Sequence, residues 1–213
     1  MTRAQAGWCF VAPALIAIVV FFVGPVFAAL AMSFTDFDIY ALASLRNLRF
    51  VGLGNYAQLL QTPLFWQALG NTLFFVVVGV PLSIAASLAA ALLLNSPLVR
   101  FKGLFRTALF APVVTTLVAV AVVWRYLLHT RYGLVNQGLA ALGLGPVDWL
   151  GDPFWALPSL VILSVWKNFG YNMIILLAGL QAIPRDLYEA ASLEGASTWQ
   201  QFRHVTLPAL SPM

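Results

Sequence analysis

Between Trp8 and Met32 the chain runs for a bilayer's depth without a charged residue, interrupted only by Pro13, Gly24 and Pro25. A membrane core needs about 20 apolar residues in helical form, because in hydrocarbon every backbone amide and carbonyl must find its partner inside the chain. Three more stretches meet the same requirement: Thr72 to Leu94, Thr107 to about Leu128, and the run from Pro153 to Leu180. The expectation is therefore an all-α, polytopic membrane protein with spans at about 8–32, 72–94, 107–128 and 156–180. A water-soluble globule is excluded, since 62% of the residues are hydrophobic and only 8% charged, against an apolar share of about 45–50% in soluble domains. A cleaved secretion signal is the rival reading of the first run, with Ala29-Leu30-Ala31 imitating a cleavage site. That run exceeds the roughly 7–15 residues of a signal core.

The connecting segments give punctuation and orientation. Ser33 to Asn71 mixes Asp36, Asp38, Arg46 and Arg49 with Gly52-Leu53-Gly54, and reads as an ordered external loop with a short amphipathic helix near Tyr56 to Leu60. Gly79 and Pro81 predict a kink in the second span, and the third contains Pro112, with Arg125 near enough to its end to snorkel. His129 to Asp152 reads as a second external loop, turn-rich through Gly133, Gly143, Gly145 and Pro146, with Trp149 and Trp155 suited to the interface belt. Arg100, Lys102 and Arg106 crowd into one short loop, the pattern that stays cytoplasmic. Placing that loop, the N-terminus and residues 181–213 inside leaves Arg46, Arg49, Arg125 and Arg131 outside. The eleven basic residues are scattered singly among apolar runs, which gives no stripe for nucleic acid. A lone Cys9 and two distant histidines supply no disulfide, redox pair or metal framework, and no cofactor is expected. No internal repeat or linker divides the chain, which reads as one membrane domain.

The fourth span differs from the others in being polar along one side. Ser164, Lys167, Asn168, Tyr171 and Asn172 follow the i, i+3, i+4, i+7, i+8 spacing of one helical face. A basic residue at that depth costs about 2.5–3.5 kcal/mol on insertion scales, so it faces protein or water rather than lipid. Interhelical bonding and the lining of a hydrated path for a polar solute both account for the stripe.

Beyond the fourth span the sequence turns polar. Pro184 suits a helix start and Asp186 its positive end, predicting a helix to about Leu193 that Gly195 terminates. Ser197 with Gln200 has the form of a capping box, opening a second short helix whose apolar side carries Trp199, Phe202 and Val205, with Pro208 just beyond. His204 reads as a surface residue at that helix's C-terminal end. Small Ala190 and Ala191 beside Glu189 form a surface that a partner backbone approaches closely, a docking surface, with the rival reading a solvated hairpin that has no partner.

The order Glu189-Ala190-Ala191, then Gly195, then Val205, Leu207 and Pro208 resembles the cytoplasmic loop signature of permease subunits in binding-protein-dependent ABC importers. Phe34-Thr35-Asp36-Phe37, Phe50 to Tyr56, Phe65 to Thr72 and Leu176 to Pro184 are similar to the branch that carries sugars and glycerol phosphate. The resemblance implies that residues 181–208 couple to a separate pair of ATP-binding subunits, that a second permease subunit completes the membrane pathway, and that an extracytoplasmic solute-binding protein delivers the solute. It also implies six spans, so the sequence stops about two short, and a truncated C-terminus is the expectation.

No Gly-x-x-x-x-Gly-Lys-Ser/Thr loop occurs, so the chain lacks the phosphate cradle of an ATPase. Gly195-Ala196-Ser197 is not a nucleophile elbow, because Trp199 stands where the second glycine belongs. Two other classes stay open at this stage. An intramembrane enzyme would draw on His129, Asp152 or Lys167, and a secondary carrier would need inverted repeats and its own ion site.

Overall fold

The computed structural model describes residues 2–37 and 48–211, in two compact units, residues 1–69 and 70–213. Asp38, Arg46 and Met213 lie outside the described residues. Apart from one isolated antiparallel bridge, Thr35 to Phe50, the described residues form helices and turns.

In the first unit, α1 (Arg3–Ile18) and α2 (Gly24–Met32) are joined by a widened π turn, Val19–Val23, and together supply an apolar helix from Gly7 to Met32. Thr2 and Gln5 close its start as a capping box. The chain then turns back on α3 (Gly54–Gln61), the short helix expected near Tyr56. Asn55 donates from Nδ2 to the carbonyls of Ser33 and Thr35, both at 2.8 Å, and Ser33 Oγ shares a 2.6 Å hydrogen bond with Tyr56 OH. Gly52 has φ 58°, and its amide and that of Val51 both reach the Phe34 carbonyl. The stretches around Phe34 and Tyr56, 22 residues apart, are thus one tied corner.

α4 (Pro63–Phe74), a π turn Phe75–Gly79 and α5 (Val80–Asn95) form one apolar helix of 33 residues. The second apolar helix therefore starts at Pro63, not Thr72, and the connecting segment before it is correspondingly shorter than the sequence suggests. The reason is that Pro63 occupies the first turn, where its missing N–H costs nothing, while Gly70, Asn71 and Thr72 are carried within the helix. Where the sequence predicts a kink, at Gly79 and Pro81, the helix runs on without a break and widens into the π turn.

The third span is not one helix. α6 (Lys102–Val114) and α7 (Leu117–Leu127) meet at 98° across Thr115-Thr116. Pro112 removes an amide and its ring crowds the preceding turn, and the two threonines convert the weakness into a break. Thr115 donates from Oγ1 to the Pro112 carbonyl at 2.6 Å, and Thr116 Oγ1 accepts from the Ala119 amide as the cap of α7.

The next segment holds α8 (Leu134–Ala141), a helix not anticipated from its glycines. Asn136, 5% exposed, organises it by donating to the Thr130 and Val147 carbonyls and accepting from the Val147 amide and Trp149 Nε1. Asp152 accepts from the Phe154 amide and starts α9 (Pro153–Ala182), a 30-residue helix.

α5 and α9 make the core. Ser87, Ala91 and Leu94 recur at helical spacing on α5 and are buried with Met173, Leu177, Leu180 and Ile183. Small residues let the two backbones approach, as packing between membrane helices requires. Ser87 Oγ donates to the Phe169 carbonyl at 2.9 Å as well as to Ser83 in its own helix. On its other flank α9 meets α6 at Gly170, where a Cβ would collide with the Leu109 carbonyl oxygen.

Candidate functional site

The polar loop after α9 folds as α10 (Arg185–Leu193) followed by α11 (Thr198–Gln201), a π turn Phe202–Thr206 and α12 (Leu207–Leu210). Pro184 is the cap residue of α10, which begins at Arg185, one place after the expected start. The end of α10 is closed by its own backbone: the Ala196 amide bonds the Ala191 carbonyl at 2.9 Å and the Gly195 amide bonds Ser192 at 3.0 Å, with Gly195 at φ 79°. These two bonds define a Schellman ending, which strongly favours glycine at that position. The capping box on the other side is fully formed, Ser197 N–H to Gln200 Oε1 at 2.7 Å and Gln200 N–H to Ser197 Oγ at 3.4 Å. Gln201 Nε2 donates to Ser192 Oγ and to the Ala196 carbonyl, fastening α11 to α10.

The second helix departs from expectation beyond Gln201. It continues through the π turn to Leu210, so Pro208 lies inside it and exposed His204 sits in mid-helix, bonding to the Gln200 carbonyl. The π turn permits this, because Leu207 reaches back five residues to the Phe202 carbonyl and the Pro208 ring meets no ordinary α carbonyl behind it.

Glu189, Ala190, Gly195, Leu207 and Pro208 are exposed, while Ala191 and Val205 are half-buried. A Cβ on Gly195 would meet nothing within 4 Å in this chain. The inner side is anchored to the α5–α9 core through Tyr188, whose hydroxyl shares a 3.0 Å bond with Thr206, and through Val205 and Leu210. Two bulky residues that the motif did not single out as surface stand outward, Leu193 at 90% exposure and Trp199 at 67%. A leucine at the end of α10, between Ser192 and Glu194, was the available signal.

The five polar residues of α9 are separated into an open strip and its two flanks. At about 100° per residue, Lys167 and Asn172 stand about 140° apart around the helix. Asn168 and Tyr171 are exposed and Ser164 half-buried between them; Asn168 Nδ2 donates back to the Ser164 carbonyl. Lys167 turns to α6, its Nζ 2.9 Å from the Val113 carbonyl oxygen. Asn172 turns to α5, lining a cavity of about 420 Å³ with Val80, Ser83 and Ile84. His129, Asp152 and Lys167 are occupied separately: His129 stacks on Tyr132 at 3.5 Å between ring centroids, Asp152 caps α9, and Lys167 holds Val113. Among the described residues no group of three His, Cys, Asp or Glu side chains could hold a metal.

Membrane-length helices joined to this exposed, self-closed loop define a polytopic helical membrane protein with a polar loop set outside its core. The chain belongs to the family described as binding-protein-dependent transport system inner membrane component, which matches residues 62–213, and it is accordingly a permease subunit of the ABC-importer class. It is 43% identical over 209 residues to the lactose transport system permease protein LacF of Rhizobium radiobacter, covering 97% of this chain and 68% of that one. The arabinooligosaccharides transport system permease protein AraP of Bacillus subtilis is 35% identical over 213 residues, covering 100% of this chain and 66% of the relative. Among solved structures, the crystal structure of a bacterial alginate ABC transporter, in complex with an alginate pentasaccharide-bound periplasmic protein, matches with a TM-score of 0.77 and 27% identity. That match covers 99% of this chain and 68% of the other. The chain thus spans about two thirds of the length of the curated relatives it matches.

Proposed function

We propose that this chain forms part of the membrane pathway for a sugar or oligosaccharide in an ATP-driven importer, and that it takes its drive from a separate pair of ATP-binding subunits docked on α10 and α11. The observation that carries the reading is that Glu189, Ala190 and Gly195 stand exposed on a turn whose ends are closed internally. Its outward surface is left for a partner. The carbohydrate class is supported by the names of the relatives, which carry lactose and arabino-oligosaccharides. A second permease subunit faces the open strip of α9, where Asn168 and Tyr171 offer an amide and a phenol to a hydroxylated solute; Ser164, Lys167 and Asn172 lie within or beside that strip. An extracytoplasmic binding protein delivers the solute to the side of the 129–152 segment. In this arrangement the N-terminus and residues 181–208 are cytoplasmic, and the apolar faces of α1 and α2 meet lipid.

Cysteine chemistry tests the arrangement in the assembled transporter with Cys9→Ser as background. A Leu193→Cys residue should cross-link to the ATP-binding subunit and stay closed to a membrane-impermeant thiol reagent in intact cells, while Asp148→Cys should react from outside. External labelling of Leu193→Cys, or its failure to cross-link while the complex stays whole, would remove the docking assignment.

A further inference from the structure

The break between α6 and α7 leaves a carbonyl that its own segment does not serve. In an uninterrupted helix the amide of Leu117 would take the carbonyl of Val113. Here Thr115 and Thr116 are both extended, with ψ 148° and 141°, which carries Leu117 out of that register to open α7. The Pro112 carbonyl is served from within, by the amide and hydroxyl of Thr115 at 3.3 and 2.6 Å. The Val113 carbonyl is served from another helix, by Lys167 Nζ at 2.9 Å. At membrane depth no bulk water offers a substitute donor, and the negative end of a helix dipole is where a cation is most favoured. One turn back, Gly170 lets the Leu109 backbone rest on α9, so the end of α6 that bears Val113 is held within reach of Lys167.

We propose that Lys167 is a positioning residue that holds the α6–α7 bend through the Val113 carbonyl, and is not a solute ligand. The bend and a straight helix then compete for one acceptor. Straightening α6–α7 returns that carbonyl to Leu117 and releases the ammonium toward the strip that carries Asn168 and Tyr171. Its bearing on uptake rests on the transport reading above; the geometry does not.

Spin labels at Leu104→Cys and Val123→Cys, both exposed positions, with Cys9→Ser, read the bend in the assembled transporter. At 1.5 Å per residue the backbone separation is roughly 28 Å for a straight helix and roughly 20 Å for the bend. K167M should shift the population to the longer distance, and K167R should keep the short one. Leu117 opens α7, a position that tolerates proline, and the residue before it is already extended. L117P therefore forbids the straight helix, and K167M/L117P should return the short distance. In uptake, K167M should lower the maximal rate about tenfold, the scale of one charge-assisted hydrogen bond, and leave the half-saturating solute concentration within about twofold. A K167M transporter that keeps the short distance and raises half-saturation about tenfold would overturn the proposal in favour of solute binding. Should K167M alone fail to assemble, recovery in K167M/L117P supports the proposal. Failure of that pair beside normal assembly of L117P sinks it. A distance shift in K167M with no uptake in any variant, wild type included, strikes the transport reading and leaves the positioning role standing.

Discussion

The loop between α10 and α11 and the break between α6 and α7 are both places where a helix stops and another begins within a few residues. They solve the same problem by opposite means. The loop serves its orphan backbone groups locally, through Gly195, Ser197 and Gln200, with water available for the remainder. The break has two local threonines and must borrow a cation from α9 for the Val113 carbonyl. In hydrocarbon the missing donor has to come from tertiary structure. A loop that is complete in itself is free to bind something else, whereas a break completed from outside is tied to the helix that completes it.

The largest effect expected from breaking this contrast is at Gly170. Gly170→Val drives a side chain into the Leu109 backbone, and because the clash is with backbone rather than a flexible tip, α6 must leave α9. Overpacking of this kind costs about 1–3 kcal/mol or more, so the yield of folded protein measured by size exclusion should fall about tenfold. A normal yield would mean that the close approach is not required. Next comes Gly195→Asp, which should leave insertion and folding nearly intact and abolish solute uptake. The strain of a side chain at φ 79° is about 1–2 kcal/mol, and no neighbour in this chain obstructs it, so the loss falls on docking. Uptake at the normal rate would remove the loop from the coupling path. The smallest effect belongs to Ser197→Ala. Losing the cap should cost about 0.5–2 kcal/mol locally, seen as faster hydrogen exchange at the Gln200 amide, with uptake reduced only a few-fold. Unchanged exchange there would show that Gln201 and the π turn hold α11 without the box.

The same contrast explains what the sequence made legible. Gly195 and the Ser197–Gln200 pair are short-range signals, and the turn they specify is the turn observed. The apolar stretches located the long helices, because hydrophobic length is a property of the segment alone. The continuation of α4 back to Pro63 was hidden, since Asn71 and Thr72 look like loop residues until a helix already begun carries them through. The α6–α7 break was not anticipated: Pro112 was placed inside one continuous span, and a bend of 98° depends on Lys167 and Gly170, about 55 residues away in sequence. The stripe on α9 was correctly periodic, yet periodicity does not say which neighbour each member meets, and so Lys167 and Asn172 turned out to face α6 and α5 rather than one common space. Asn136 carries no local signature, because its four hydrogen bonds join chain segments that come together only in the fold.

The three widened turns among the described residues share a feature with a consequence of its own. Val19–Val23, Phe75–Gly79 and Phe202–Thr206 are each followed two residues later by proline, at Pro25, Pro81 and Pro208. The carbonyl that each proline ring would strike, four residues back, falls inside the widened turn, where the usual α bond is relaxed. A π turn holds one residue more than the α turn it replaces, so everything beyond it is rotated by about 100° relative to a regular helix. For α5 this rotation aims Ser87, Ala91 and Leu94 at α9. Pro81 thus works as a phase marker: it fixes which side of the helix becomes the seam, and a helix that lost both the proline and the extra residue would present a different set of side chains to the same partner.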